Sequence, residues 1–291
     1  NESLKFFNQA LEYNPNLFEA RFERLNINQE ICNWINYSKL KNELPLLDMA
    51  SSSIRPFPML SIEDNPERQL KRANKYVIEK HSIKKIPLAN STYIKPKKLR
   101  IGYFSADFKN HPVSNQIVQL LSLHDRSQFE IYAYSLKNFQ DDMQKKIIKS
   151  VDHFKNVSHL SDKDITLLAR KDKIDIAIDL MGHTKNSRTD IFALRAAPLQ
   201  INLFGGTLGA SFIDYIIADP IVIPDRLRRF YKEKIIFLPH TFFPTDNTRN
   251  ISKQVMSRKE FGLSEDGFVF CCFNNNYKIT PREFDIWMRL L

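Results

Sequence analysis

The spacing of apolar positions changes period along the chain. Over roughly the first 44 residues it is helical: Leu4, Phe7, Ala10 and Leu11 mark a first helix that breaks at Asn14-Pro15. Phe18, Phe22, Leu25 and Ile27 mark a second helix over about 17–29. Residues 45–97 carry Pro45, Pro56, Pro58, Pro66, Pro87 and Pro96, which predicts a connector with one basic helix near 67–80. From Lys98 onward, short apolar, β-branched or aromatic runs appear at 99–104, 129–134, 174–180, 199–204, 215–218 and 235–238. Helical patterns at 113–123, 143–151 and 165–170 lie between the earlier runs. Such alternation predicts a parallel sheet with helices on both faces. A final run at 267–273, followed by a helix opening at Thr280-Pro281, reads as the first strand and helix of a second α/β domain.

The boundaries expected from this pattern are 1–44 for a helical region, 45–97 for the basic connector, 98–243 for a Rossmann-like lobe, and 244–291 for a link plus the start of a truncated second lobe. Ala10-Leu11-Glu12-Tyr13-Asn14-Pro15-Asn16 is similar to the junction between two tetratricopeptide repeats. One repeat cannot bury its apolar face alone, so further repeats are expected upstream. The chain starts and stops within helical patterns and has no signal-peptide profile, and it reads as a piece of a longer protein.

Composition narrows the function classes. The 291 residues include 43% hydrophobic side chains, enough for a sizeable core, and no apolar run approaches the ~20 residues of a membrane span. Cys32, Cys271 and Cys272 make neither a disulfide framework nor a zinc site, which points to a reducing, cytoplasmic setting. The net charge of +10 is densest from Arg68 to Arg100, through Lys71, Arg72, Lys75, Lys80, Lys84, Lys85, Lys95, Lys97 and Lys98. Clustered base can neutralise nucleic-acid phosphates, but stacking aromatics are sparse in this stretch. A solvated surface with affinity for a small anionic ligand is the favoured reading, and a nucleic-acid partner is disfavoured.

In open α/β sheets ligands bind beyond the carboxyl ends of the strands, so those ends carry the candidate chemistry. The first gives Ser105-Ala106-Asp107-Phe108-Lys109-Asn110-His111-Pro112. Asn110 as helix cap and Pro112 in the first turn account for much of it structurally, while His111 offers an imidazole suited to general-base work. The third run ends in Met181-Gly182-His183-Thr184-Lys185, a glycine turn at the same rim. Leu203-Phe204-Gly205-Gly206-Thr207-Leu208-Gly209 is a glycine-rich loop after a strand, without a dinucleotide or phosphate-loop spacing. His240-Thr241 follows the last run of the lobe and reads structurally as an exit loop.

The strongest local chemistry is Cys271-Cys272-Phe273-Asn274-Asn275-Asn276-Tyr277-Lys278-Ile279-Thr280-Pro281. A helix amino terminus capped by Thr280 beside Lys278 favours an anion such as a diphosphate; a plain capped helix with a solvated lysine is the alternative. Asp162-Lys163-Asp164 and Asp141-Asp142 read as helix starts rather than metal ligands, and no metal site is expected.

In order, these pieces resemble the O-GlcNAc transferase and SPINDLY family of GT-B glycosyltransferases. The matching stretches are 99–112 (LRIGYFSADFKNHP), 173–184 (KIDIAIDLMGHT), 192–200 (FALRAAPLQ), 214–219 (DYIIAD), 238–243 (LPHTFF) and 273–281 (FNNNYKITP). The resemblance implies an α/β fold with a Rossmann-like GT-B N-terminal lobe behind a tetratricopeptide-like segment. It also implies inverting transfer, needing no metal or other cofactor, of a sugar from a nucleoside diphosphate to Ser or Thr of a protein acceptor. UDP-GlcNAc is the expected donor and GDP-fucose the other candidate. His111 falls at the histidine proposed as base in that family. Asn275, Tyr277 and Lys278 fall in the donor site, with Lys278 stabilising charge on the leaving diphosphate. Gly205, Gly206 and Thr207 fall in the loop near the sugar, which is two residues shorter here. His183, Thr184, His240 and Thr241 fall at the acceptor and sugar rim. Asn115 stands where some members have another histidine, and the link 244–262 lacks the large insert of animal relatives, as in bacterial-type enzymes. The shortened loop also suits an alternative: a repeat-protein scaffold whose transferase region has decayed.

Overall fold

The computed structural model of the chain describes residues 2–48, 54–81 and 96–291. In chain order its helices are α1 (Glu2–Tyr13), α2 (Phe18–Glu30), α3 (Tyr37–Asn42), α4 (Leu44–Asp48), α5 (Pro56–Met59), α6 (Pro66–Lys80), α7 (Pro112–Leu123), α8 (Asp142–Lys149), α9 (Asp162–Lys171), α10 (Asp190–Ala193) and α11 (Pro281–Leu290). Its strands are β1 (Leu99–Ser105), β2 (Phe129–Ser135), β3 (His153–Asn156), β4 (Ile176–Asp179), β5 (Leu199–Asn202), β6 (Tyr215–Ala218) and β7 (Lys234–Phe237). Two compact units result: Asp48–Asp246, and Asn1–Leu47 together with Asn247–Leu291.

The first of these, the sheet unit, is built on one parallel sheet of order β3-β2-β1-β4-β5-β6-β7. Ile101 of β1 lies opposite Ile131 of β2 on one side and Ile176 of β4 on the other. Successive side chains alternate between faces. Ile101, Tyr103, Ile131, Ala133 and Ile178 pack with Ile117 and Leu121 of α7 and Ile147 of α8. Phe104, Tyr132 and Tyr134 face the other way, onto Ile165 and Ala169 of α9, Ile191 and Phe192 of α10, and Val77 of α6. Phe104 and Tyr134 stack at 4.5 Å. Both faces are therefore covered, as a parallel sheet requires. Burying each large apolar side chain contributes about 1.5–3 kcal/mol.

Three departures from the sequence pattern within the sheet unit have physical causes. β3 escapes the pattern, because His153-Phe154-Lys155-Asn156 is an edge strand with one apolar residue and shows no alternation that periodicity can register. The basic helix α6 is part of the sheet unit, burying Ala73 and Val77. Asn110 does not cap α7: His111 takes that position, and the Asn110 amide N–H instead donates to Asp141 Oδ2 at 2.7 Å. The aspartates behave as helix starts. Asp141 accepts from the Gln144 N–H, and Ser161 caps α9 with Asp162 and Asp164 in its first turn.

In the helical unit α1 packs on α2, burying Leu11, Ala20, Phe22 and Leu25. Arg21 and Arg24 both reach Glu43, at 2.9 and 3.0 Å. Residues 267–273 do not form the expected strand. A strand exists only by pairing, and among the described residues this unit offers no second strand. The helix after it does form, as α11, with Thr280 at the capping position and Pro281 in the first turn. The thiols of Cys32, Cys271 and Cys272 are free. Among the described residues no helix is long and apolar enough to cross a membrane.

Candidate functional site

The strand order reverses direction between β1 and β4, so the loops leaving these two strands flank the crevice where open α/β sheets bind ligands. One loop carries Asp107 to His111, the other Met181 to Thr184. Met181 closes the floor between them: its Sδ accepts from the Ala106 N–H at 3.2 Å and the Ser105 hydroxyl at 3.5 Å. Asp179, at the end of β4, holds the second loop, with Oδ1 accepting the Met181 N–H (2.8 Å) and Oδ2 the Gly182 N–H (3.1 Å). Its complete burial outweighs these two bonds and pushes its pKa up to about 7.

His111 stands at the mouth of the first loop, partly exposed, as the N-cap of α7. Its Nδ1 accepts the Val113 N–H at 3.3 Å and lies 3.7 Å from Asp107 Oδ2. The neutral ring must then carry its proton on Nε2, where it donates rather than accepts. The same turn is held by the Ser114 hydroxyl on the Asp107 carbonyl (2.6 Å) and by the Asn115 side chain on the His111 carbonyl (3.1 Å). Asn115 thus supports the backbone of the residue beside it.

The loop after β5 meets the loop after β4. A Cβ on Gly182 would lie 3.1 Å from the Phe204 carbonyl oxygen, and His183 Nε2 donates to the Leu208 carbonyl at 2.9 Å. Burial keeps the His183 imidazole neutral, its pKa pushed down to about 4, with nearby His81 adding to the shift. The Thr184 hydroxyl donates to the Met181 carbonyl. Gly205, Gly206, Thr207 and His183 line a cavity of about 130 Å³ together with Arg72 and Tyr231. The Thr207 hydroxyl donates to Glu233 Oε2 (2.7 Å) and receives the Gly209 N–H (3.1 Å). Glu233 Oε1 accepts the Leu208 N–H, and burial raises the pKa of this carboxyl.

His240 and Thr241 are exposed after β7. Their loop is tied to Asp219 at the end of β6, which accepts from Ile221, Val222 and Phe242 N–H groups. These backbone bonds, that from Phe242 first, hold its carboxyl below the usual range. Phe204 and Phe243 touch edge to face at 6.4 Å, linking the loops after β5 and β7.

Asn275, Tyr277 and Lys278 lie in the helical unit. Asn276–Lys278 is a single 3-10 turn, with the Lys278 N–H donating to the Asn275 carbonyl at 3.0 Å and the Lys278 side chain exposed. The helix start that follows already holds an anion of the protein itself. The Thr280 hydroxyl donates to Glu283, and that contact leads the lowering of the Glu283 pKa. Cationic chemistry at this corner therefore rests on Lys278 more than on the helix terminus. The turn is held from α2 by Gln29, whose Nε2 donates to the carbonyls of Tyr277 (2.9 Å) and Ile279 (3.1 Å).

The structure brings His183 together with Gly205–Thr207, and Asn275 and Tyr277 with Lys278. Sequence reasoning does not single out Asp179, Asp219, Glu233 or Gln29, and gives Met181 no role of its own. Asp179 and Asp219 carry a signal, as carboxylates directly after apolar residues at strand ends. Of the basic stretch, Arg68 and Arg72 pair with Glu63, Lys71 with Glu67 and Arg100 with Glu130, so much of its charge is matched locally. Lys84, Lys85 and Lys95 lie outside the described residues.

Comparison with known proteins agrees with this geometry. Residues 68–254 match the family model for glycosyl transferase family 41. The chain is 38% identical over 204 residues to a probable UDP-N-acetylglucosamine–peptide N-acetylglucosaminyltransferase SEC of Arabidopsis thaliana, covering 67% of this chain and 21% of the relative. It is 30% identical over 276 residues to the UDP-N-acetylglucosamine–peptide N-acetylglucosaminyltransferase of Caenorhabditis elegans (87% and 24%), and 31% identical to a probable enzyme of the same description, SPINDLY, of Petunia hybrida (67% and 21%). It thus spans about a quarter of these relatives or less. Its fold matches a mutant O-GlcNAc transferase of Thermobaculum terrenum with a TM-score of 0.74 at 23% identity, over 99% of this chain and 55% of the other. On the strength of that family match, which extends from the start of α6 past β7, the chain belongs to glycosyl transferase family 41.

Proposed function

We propose that the whole protein transfers a sugar, GlcNAc ahead of fucose, from a nucleoside diphosphate donor to Ser or Thr hydroxyls of proteins, with inversion and without a metal ion. The observation that carries this reading is the placement of His111 at the strand-order reversal, where its ring is anchored through Nδ1 and its Nε2–H is left for a substrate oxygen. The relatives' descriptions as peptide N-acetylglucosaminyltransferases support the donor and acceptor classes. In the transfer the acceptor oxygen bonds to the anomeric carbon as the bond from that carbon to the diphosphate oxygen breaks. The electron pair leaves with the diphosphate, and the hydroxyl proton passes to it or to water. His111, donating through Nε2, orients an oxygen rather than taking the proton. Lys278 places a positive charge for the leaving diphosphate, an effect worth roughly two orders of magnitude in rate. The free thiols fit a cytoplasmic setting.

A second reading, a protein-binding scaffold, is favoured by the Thr207 hydroxyl being engaged by Glu233 and Gly209 within the protein. Transfer assays on the whole protein with UDP-GlcNAc and with GDP-fucose, in the presence of a chelator, separate the two. Transfer from either donor, nearly abolished by Lys278→Ala, supports the enzyme. No transfer, and no UDP or GDP binding by calorimetry at millimolar ligand, overturns it in favour of the scaffold.

A further inference from the structure

We infer that Gln29, on α2, is a positioning residue for Lys278. This rests on the proposed role of Lys278 toward the diphosphate. Gln29 is 2% exposed, near the end of α2. Its one amide nitrogen donates to the carbonyls of both Tyr277 and Ile279, the residues on either side of Lys278. That pairing fixes which end of the amide faces the turn, since its own oxygen there would meet two acceptors. The backbone entering and leaving Lys278 is thereby held against one rigid helix. This fixes the backbone, and so the Cα–Cβ direction, from which the exposed lysine side chain projects. Cys32 Sγ approaches the Asn276 carbonyl at 3.7 Å, and Trp34 packs on Phe284 of α11 at 5.4 Å, so the grip extends along the segment.

For stability a glutamine here cuts both ways: its two donated bonds satisfy the Tyr277 and Ile279 carbonyls. Its Oε1 is buried with no hydrogen-bond partner among the described residues, an arrangement that costs free energy in a protein interior. Methionine would fill similar space without that penalty, though it would leave the two carbonyls without this donor. What only the amide supplies is the double donation that brackets the lysine.

The test is kinetic, on the whole protein. Gln29→Met keeps the volume and removes both donors. Gln29→Glu keeps the shape and turns a donor into an acceptor. We expect Gln29→Met to lower kcat roughly ten- to hundredfold, with acceptor KM nearly unchanged. Added to Lys278→Ala it should cause no further loss, because it acts through that lysine. Gln29→Glu should be worse at pH 8 and recover relative to the native protein as the pH falls towards 6, where a protonated carboxyl can donate to one carbonyl. Native kcat in Gln29→Met, or an equal loss on top of Lys278→Ala, overturns the inference. If Gln29→Met does not fold, the pH recovery of Gln29→Glu decides: a flat pH profile relative to native overturns it. Full activity in Lys278→Ala alone would instead sink the functional reading, leaving the hydrogen bonds of Gln29 without a catalytic consequence.

Discussion

The Asn74 side chain donates to the Gly209 carbonyl at 3.3 Å, and between these two residues helix and loop backbones touch. Gly209 has φ of +67°, and a Cβ built on it would lie 2.5 Å from Asn74 N and 2.8 Å from the Ala73 carbonyl carbon. The glycine-rich loop is therefore shaped by its close approach to α6. Its third glycine is the contact that seats that helix on the sheet unit.

Replacing Gly209 with alanine combines left-handed strain of about 1–2 kcal/mol with overpacking against backbone of about 1–3 kcal/mol. For a unit of this size the melting temperature should fall by roughly 4–20 °C. Gly206, with φ of +77° and open space within 4 Å of where a Cβ would stand, bears only the strain. Gly206→Ala should lose about 1–2 kcal/mol. Thermal melts of the two variants check the contrast, and equal losses would refute the close approach.

Asp179, at the end of β4, and His183, four residues on in the loop it holds, should give opposing pH dependences. Burial raises the Asp179 pKa to about 7, from about 3.9 in an unfolded chain, so the folded state binds the extra proton and stability falls as pH rises from 4 to 7. Burial lowers the His183 pKa to about 4, from about 6.5 unfolded, so the unfolded state binds the extra proton and stability falls as pH drops from 6.5 to 4. Each slope is at most about 1.4 kcal/mol per pH unit, and over 4 to 6.5 they offset each other. Asp179→Asn should unmask a rise in unfolding free energy with pH over that range, and His183→Gln a fall. Denaturant titrations at several pH values measure both, and identical pH profiles in the two variants would count against these assignments.

The elements legible in the sequence are those whose burial follows a period. β1, β2 and the faces of α7 and α9 alternate or recur so that Ile101, Ile131, Ile117 and Ile165 announce themselves. The edge strand β3 has a single apolar residue and needs β2 beside it to exist. Residues 267–273 have strand composition but no partner strand in their unit among the described residues, so composition alone misleads there. Among the candidate residues, His111, Lys278 and the glycine loop can be found because they sit at strand ends or helix starts. Gln29 cannot: its partner Tyr277 is 248 residues away, and nothing local distinguishes it from a surface glutamine. Nor can the occupation of the Thr207 hydroxyl, which depends on Glu233, 26 residues on and across β6.

The tautomer of His111 gives the sharpest division between orientation and proton abstraction. With Nδ1 accepting from the Val113 N–H, the imidazole presents a donor at Nε2. Asparagine can do both jobs in part, since its oxygen is a good helix cap and its amide nitrogen a donor. Alanine does neither, and it also loses about 1 kcal/mol of capping. If His111 orients a substrate oxygen, His111→Asn should keep kcat within roughly tenfold of native, while His111→Ala loses a hundredfold or so. A general base requires a proton acceptor of near-neutral pKa, which an amide is not, so abstraction predicts that both variants fail alike. Rates measured at saturating donor and acceptor, with helix content followed by circular dichroism, distinguish the two, and an asparagine variant as slow as the alanine one would restore the base.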